Sequence, residues 1–232
     1  MASSSLFLET KRYVALVTGS SRGIGKAIAE EFRTLGVHVL APERSELDLD
    51  SPTSISRFGE RYKDQGIDIL VNNAGINVLS AIDQISSDDW NRMIQVNLTA
   101  PFKLIQCFAP GMKKKNWGRI LNISSIFGVV TKENRLAYST TKSGLNGLTR
   151  TTSVELGSYG ILANSLCPGY VDTELTRKNN SSVEIATIEK KIPLGRMAKT
   201  EELSKLAVFL CSEHNSYLTG QSILIDGGFT CL

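Results

Sequence analysis

The stretch from Tyr13 to Leu35 constrains the fold more than any other part of the chain. Tyr13-Val14-Ala15-Leu16-Val17 is a continuous apolar run, the pattern of a strand buried on both faces. It passes directly into Thr18-Gly19-Ser20-Ser21-Arg22-Gly23-Ile24-Gly25 and then into a helix-like segment, Lys26 to Leu35. A doubly buried strand belongs in a parallel sheet, and parallel neighbours need helical crossovers. The glycine-rich turn between strand and helix is suited to phosphate. Glycines let the backbone approach a pyrophosphate, and the free amides of the helix N-terminus favour the anion. Glycines also serve turns that bind nothing. The strand-to-helix context favours dinucleotide binding over a bare turn.

The rest of the chain fits one α/β domain spanning residues 1–232. Its 232 residues suffice for one well-buried core and are short for two. Net charge is +3, too small to argue for a nucleic acid or an anionic membrane as partner. No apolar run approaches the roughly 18 residues of a membrane span. Cys107, Cys167, Cys211 and Cys231 are scattered without metal-type or redox-type spacing, so they read as reduced packing residues in a cytoplasmic protein with no metal site. Residues 1–11 read as a polar, loosely held lead-in. Lys113-Lys114-Lys115 reads as a solvated helix end, where cations suit the dipole.

Further strands are expected at Val37–Ala41, Ile67–Val71, Ile120–Ile123, Leu162–Leu166 and Ser222–Ile225. Between the second strand and Leu47-Asp48-Leu49 only Pro42 to Glu46 intervene, which leaves no room for a crossover helix. Leu47–Leu49 is therefore either a very short third strand or merely an extended segment. Ser51 to Gln65 reads as a helix with Pro52 in its first turn. Ser87-Asp88-Asp89 starts a long helix that carries Asn97. Residues 174–192 are polar and loosely patterned, as expected of a lid over a substrate.

Tyr138 and Lys142 are spaced i, i+4, so they share a helix face. A free phenol, with a pKa of about 10, is a poor acid or base at neutral pH. A nearby cation draws it toward the range useful for proton transfer. On its own such a pair is usually a helix-surface contact. Ser125 changes the reading, because a hydroxyl at the end of the Arg119–Ser124 apolar run can hold a carbonyl oxygen against the phenol.

Gly19-x-x-x-Gly23-x-Gly25 taken with Asn72-Asn73-Ala74-Gly75, Asn97, Ser125, Tyr138, Lys142 and Pro168-Gly169 resembles the short-chain dehydrogenase/reductase family in its small single-domain form. The resemblance runs from about Tyr13 to Phe229. Pro193-Leu194-Gly195-Arg196 and Asp226-Gly227-Gly228 draw it toward 3-oxoacyl-[acyl-carrier-protein] reductases and related carbonyl reductases. It implies a Rossmann-type doubly wound parallel sheet, here without a helix between the second and third strands, and a homotetramer. It implies catalysis by Asn97, Ser125, Tyr138 and Lys142: Ser125 on the substrate oxygen, Tyr138 as acid, Lys142 lowering its pKa, and Asn97 anchoring a proton relay. The cofactor would meet Gly19, Ser20, Ser21, Arg22, Gly23, Ile24, Gly25, Glu43, Arg44, Asp48, Leu49, Asn73, Ala74, Gly75, Tyr138, Lys142, Pro168, Gly169, Val171 and Thr173.

Cofactor choice turns on the end of the second strand. An acid there suits the ribose 2′-hydroxyl of NAD, and a base suits the 2′-phosphate of NADP. By resemblance Glu43 takes the acid position and Arg44 the basic one, with Arg22 a second cation, so NADP is expected and NAD stays open. The implied reaction is reduction of a ketone to a secondary alcohol. A 3-oxoacyl thioester, free or linked to acyl carrier protein, leads, with a sugar, polyol or other secondary alcohol beside it. The segment Thr131–Arg135 is highly charged, which suits either a polar substrate or a solvated loop. The reading from another class is a non-catalytic, nucleotide-regulated binding protein on the same fold, which can lack the tyrosine or the lysine. Sugar-nucleotide epimerases resemble longer chains with an added substrate domain.

Overall fold

The computed structural model describes residues 6–7 and 12–231. β1 (Val14–Val17) leads into α1 (Gly23–Thr34), and β2 (His38–Leu40) follows. α2 (Pro52–Tyr62) crosses to β3 (Ile69–Asn72), and α3 (Ser87–Ile94) runs through a π-helical turn, Gln95–Thr99, into α4 (Ala100–Lys115). Then come β4 (Gly118–Ile123), α5 (Leu136–Leu156), β5 (Ile161–Pro168), α6 (Glu174–Asn179), α7 (Ser182–Lys190), α8 (Thr200–Cys211) and β6 (Ser222–Ile225). All strands pair in parallel, in the order β2-β1-β3-β4-β5-β6. The chain winds outward from β1 in one direction and then from β3 in the other, a doubly wound sheet.

The two sides of the sheet follow from strand alternation. Ala15, Val17, Ile69, Val71, Leu121 and Ile123 face α1 and α8, where Ile28, Phe32, Leu203 and Val208 close one core. Leu16, Leu70 and Ile120 face the other way, against Ile55 and Phe58 of α2, Leu104, Phe108 and Met112 of α4, and Leu156 of α5. Ser51 caps α2 by accepting from the Ser54 amide, and Pro52 stands in the first turn, where its missing N–H costs nothing.

No helix lies between β2 and Leu47, and Leu47–Leu49 forms no strand. It is the extended segment of the two alternatives. The sheet has six strands, and α2 is the crossover from β2 to β3. Leu47 and Leu49 are nonetheless buried in the second core, which fixes where Asp48 points.

Within the expected lead-in, Phe7 is packed edge-on against Tyr13 and Phe32 and is only 4% exposed, so this residue is not loosely held. Residues 1–5 and 8–11 of that segment lie outside the described residues. Lys115 is another correction. Its ammonium donates to the carboxylate of Asp68, which is buried, at 2.7 Å, and to the carbonyl of Gly66, so it ties the end of α4 beneath β3. Among the described residues no helix is long and apolar enough to cross a membrane. The four cysteines are unpaired.

Candidate active site

The glycine turn is shaped by lack of space. Gly19 and Gly23 sit at φ +64° and +57°, a region L side chains rarely adopt. A Cβ on Gly25 would fall 2.3 Å from Asn73 Nδ2 and 2.4 Å from the Gly19 carbonyl oxygen. Asn73 makes the turn rigid: its Nδ2 donates to the carbonyls of Thr18 and Gly19 at 2.9 and 3.1 Å. Thr18 Oγ1 in turn accepts from the amides of Asn73 and Ala74. Arg22 is the N-cap of α1 but gives no side-chain cap, so no side chain takes up the amides that face an anion here.

In front of this turn lies a cleft of about 540 Å³. Gly19, Ser20, Ser21, Glu43, Arg44, Asp48, Leu49, Ala74 and Gly75 line it. Its glycine cradle fits the pyrophosphate and adenosine side of a dinucleotide, whereas Asn97, Ser125, Tyr138, Lys142, Pro168, Gly169, Val171 and Thr173 lie outside its lining. Gly23, Ile24, Gly25 and Asn73 do not line it, and Asn73 braces the Thr18–Gly19 backbone that does. Arg22 is exposed and does not line it. Arg44 does, paired with Asp48 at 3.3 Å.

Arg92 is a lining residue that sequence reasoning missed. It reaches the cleft from α3 and pairs with Asp50, also in the wall, at 3.0 Å. The available signal was its spacing from Val96, which puts both on one helix face.

The proton-transfer residues converge at the ends of β3 and β4. Ser125 follows β4 and is buried, its Oγ accepting from the Phe127 amide, and its hydroxyl acts to lower the pKa of the Tyr138 phenol. Burial acts the other way and more strongly, so the phenol lies above its usual value. The other lowering influence is Arg135. Lys142, the cation expected beside the phenol, stands near its ring. Its ammonium donates to the Ile123 carbonyl at 2.7 Å and stands over the Tyr138 ring, 5.6 Å from the centroid. Burial lowers Lys142 itself to about 8.

Asn97 is 1% exposed within the π-helical turn, a distortion that often marks functional positions. Its Oδ1 accepts from the Ile76 amide, and its Nδ2 donates to the Ile76 carbonyl and to Thr141 Oγ1. Gly75 separates it from the lysine. A methyl there would lie 3.3 Å from Asn97 Oδ1 and 3.6 Å from Lys142 Nζ.

At the end of β5, Gly169 lies so close to Asp226 that a Cβ would come 2.8 Å from its Cα. Pro168 ends the strand, and Val171 is buried in a bridge to Ala198. Thr173 caps α6 and stands beside Gly23, so this turn meets the glycine turn. Residues 174–192 hold two short helices, α6 and α7, the second opened by a Ser181/Glu184 capping box.

Comparison with known proteins agrees with this geometry. A family model described as enoyl-(acyl carrier protein) reductase matches residues 43–230. The 3-oxoacyl-[acyl-carrier-protein] reductase of Aquifex aeolicus (strain VF5) is 39% identical over 239 residues, 93% of this chain and 96% of that one. The corresponding reductase of Vibrio cholerae is 34% identical over 235 residues, with the same coverage. Among solved structures, a gluconate 5-dehydrogenase from Burkholderia cenocepacia J2315 in complex with NADP and tartrate superposes with a TM-score of 0.92 at 30% identity, covering 98% of each chain. A short-chain type dehydrogenase/reductase from Mycobacterium marinum gives 0.90 at 31%, again covering 98% of each. With a six-stranded doubly wound sheet, a glycine-cradled cleft and Ser125, Tyr138 and Lys142 gathered at one edge, the chain belongs to the short-chain dehydrogenase/reductase family of oxidoreductases.

Proposed function

We propose that the protein reduces a ketone to a secondary alcohol with NADPH, and that Tyr138 is its general acid. The observation that carries this reading is the Tyr138 phenol of α5 set between the buried Ser125 after β4 and the buried Lys142, whose ammonium stands 5.6 Å from the ring centre. A nicotinamide dinucleotide bound in the cleft supplies the hydride. Gly19, Ser20 and Ser21 receive its phosphates, Glu43, Arg44 and Asp48 meet the adenosine end, and the turn from Pro168 to Thr173 borders the nicotinamide end.

Ser125 and Tyr138 together hold the substrate oxygen. Tyr138 gives up its phenolic proton as negative charge grows on that oxygen, and its raised pKa keeps the proton in place until then. Lys142 holds positive charge beneath the ring, so the phenolate left behind is stabilised. Asn97 fixes the Gly75–Ile76 backbone through both ends of its carboxamide and anchors the route by which the proton is replaced.

The names of the relatives offer two substrate classes, a 3-oxoacyl thioester linked to acyl carrier protein and a sugar acid. We place α6 and α7 as the lid over the substrate. We assign the protein to the cytoplasm, since none of its cysteines is paired. It acts as a homotetramer through α4 and α5.

The test is NADPH oxidation followed optically with a panel of ketones, for the wild type and Tyr138→Phe. The substitution removes only the proton donor, so turnover falls about 10²- to 10⁴-fold while NADPH affinity holds within about twofold. Retention of more than a few per cent of activity would show that another group is the acid.

A further inference from the structure

We propose that the ketone reduced at this site carries a carboxylate, and that Arg135 is the residue that receives it. The proposal rests on the ketone-reduction reading above and adds the chemical class of the substrate.

Arg135 immediately precedes α5, three residues before Tyr138. Its guanidinium lies 4.9 Å from the centroid of the Phe127 ring and 6.0 Å from that of Tyr138. Its backbone is pinned on both sides. Asn134 is in the left-handed region at φ 62° and accepts from the Ser80 amide, while the Arg135 carbonyl accepts from the Ser139 amide at 2.7 Å. The arginine is thus held beside the catalytic phenol.

What it lacks is an anion. The residue is half-buried; its Nε is enclosed with no hydrogen-bond partner, and among the described residues no carboxylate pairs with it. The groups that act on its charge are the phenols of Tyr138 and Tyr170, and burial pushes its pKa down. A guanidinium partly withdrawn from water, with one N–H enclosed and no counter-charge, is a position that an anionic ligand would complete.

The surroundings suit an acid rather than an alkyl chain. Phe127 meets Tyr138 and Tyr170 edge-on, and Tyr170 meets Phe229, which makes an aromatic floor running away from the catalytic phenol. Lys132 adds a second cation above it, 5.8 Å from the Phe127 and Tyr170 centroids and within 3.3 Å of the Tyr170 hydroxyl. No side chain caps the N-terminus of α5, so its first amides add to the positive potential. A planar guanidinium meets a carboxylate through two parallel bonds, and the short span from Arg135 to Tyr138 limits the substrate to a small keto acid.

The test uses four- to six-carbon keto acids, each beside its own methyl ester, with NADPH and the full-length protein. For the wild type, kcat/KM for the best acid should exceed that for its ester by about 10- to 100-fold, the effect lying in KM. Arg135→Met should bring that ratio close to one, and Arg135→Lys should keep part of it, because the charge is retained and the fork is lost.

Three results overturn the proposal: esters used as well as their acids across the panel, a ratio that Arg135→Met leaves intact, or dihydroxyacetone phosphate preferred to every keto acid. If no ketone of either kind is reduced, the ketone-reduction reading fails by itself. Calorimetric titration of the NADP-saturated protein with the same acids then decides the proposal. Binding of an acid that weakens at least about tenfold in Arg135→Met upholds it, and the absence of binding by any acid overturns it.

Discussion

Lys142 Nζ lies 5.6 Å from the centre of the Tyr138 ring and donates to the Ile123 carbonyl at 2.7 Å, so the ammonium is tied to the end of β4 while it stands over the phenol ring. That position keeps the lysine 3% exposed and places its pKa at about 8. Two measurable properties follow from this burial.

One is pH dependence. If catalysis needs the ammonium, kcat falls as pH rises through about 8. Stability moves oppositely. In the unfolded chain the lysine keeps its proton up to its ordinary value of 10.5, so between about 8 and 10.5 the unfolded state binds more protons. Stability therefore rises with pH across that window. Lys142→Met removes the buried charge and one hydrogen bond of about 1 kcal/mol. It should abolish turnover while raising the melting temperature at pH 7 by a few degrees. The gain should shrink toward pH 10 in circular-dichroism melts. A lower melting temperature for the variant at pH 7 would mean that its surroundings compensate the ammonium fully.

Gly25 tests the cradle. With Asn73 Nδ2 and the Gly19 carbonyl within 2.4 Å of any Cβ, Gly25→Ala must displace the turn that Asn73 braces. We expect about 1–3 kcal/mol of lost stability in urea melts. NADPH affinity by fluorescence titration should weaken by at least about tenfold, since the phosphate-facing amides move together. Wild-type affinity in the variant would place the phosphates elsewhere.

Cofactor preference should be set at Glu43 and Arg44, since both line the cleft and Arg22 does not. Arg44 should give the wild type a modest NADPH preference of about tenfold, a charge-assisted bond partly opposed by Glu43. Glu43→Ala should widen it and Arg44→Ala should erase it, read as the ratio of kcat/KM for NADPH and NADH at equal ionic strength. A larger effect from Arg22→Ser than from Arg44→Ala would show that the exposed arginine reaches the 2′-phosphate.

Assembly is tested at α5. Val154 is 83% exposed on that helix, and Phe102 on α4 is 40% exposed. A Cβ on Gly147 would meet only the end of the Arg150 side chain, at an ordinary 3.8 Å, whereas Gly144 is already filled from within by Leu98, which a Cβ would meet at 2.9 Å. Gly147 therefore has room to admit a partner helix and Gly144 does not. Sedimentation should show a tetramer at micromolar concentration for the wild type and smaller species for Val154→Arg. A wild-type monomer would refute the assembly.

The strands were legible because each is a short apolar run bounded by polar or glycine residues, and the Tyr138–Lys142 spacing put both on one helix. What the sequence hid depends on partners remote along the chain. Arg92 reads as a solvated helix residue until Asp50 comes across to meet it. Arg135 reads as part of a charged loop until the chain folds Phe127 beneath it. Leu47 and Leu49 alternate as in a strand, yet they join no ladder and pack into the core instead. The capping box of α7 was visible as Ser181 and Glu184, a local signal in a stretch read only as a lid.

The six-stranded sheet has a consequence for how molecules meet one another. Leaving out the strand beyond β2 makes His38–Leu40 the sheet's boundary, and only three residues there have one side of the backbone free to pair. The opposite boundary, Ser222–Ile225, is four residues long. Edges this short offer little template for a foreign strand, so the shortened segment between Ala41 and Asp50 also guards the protein against sheet-to-sheet aggregation.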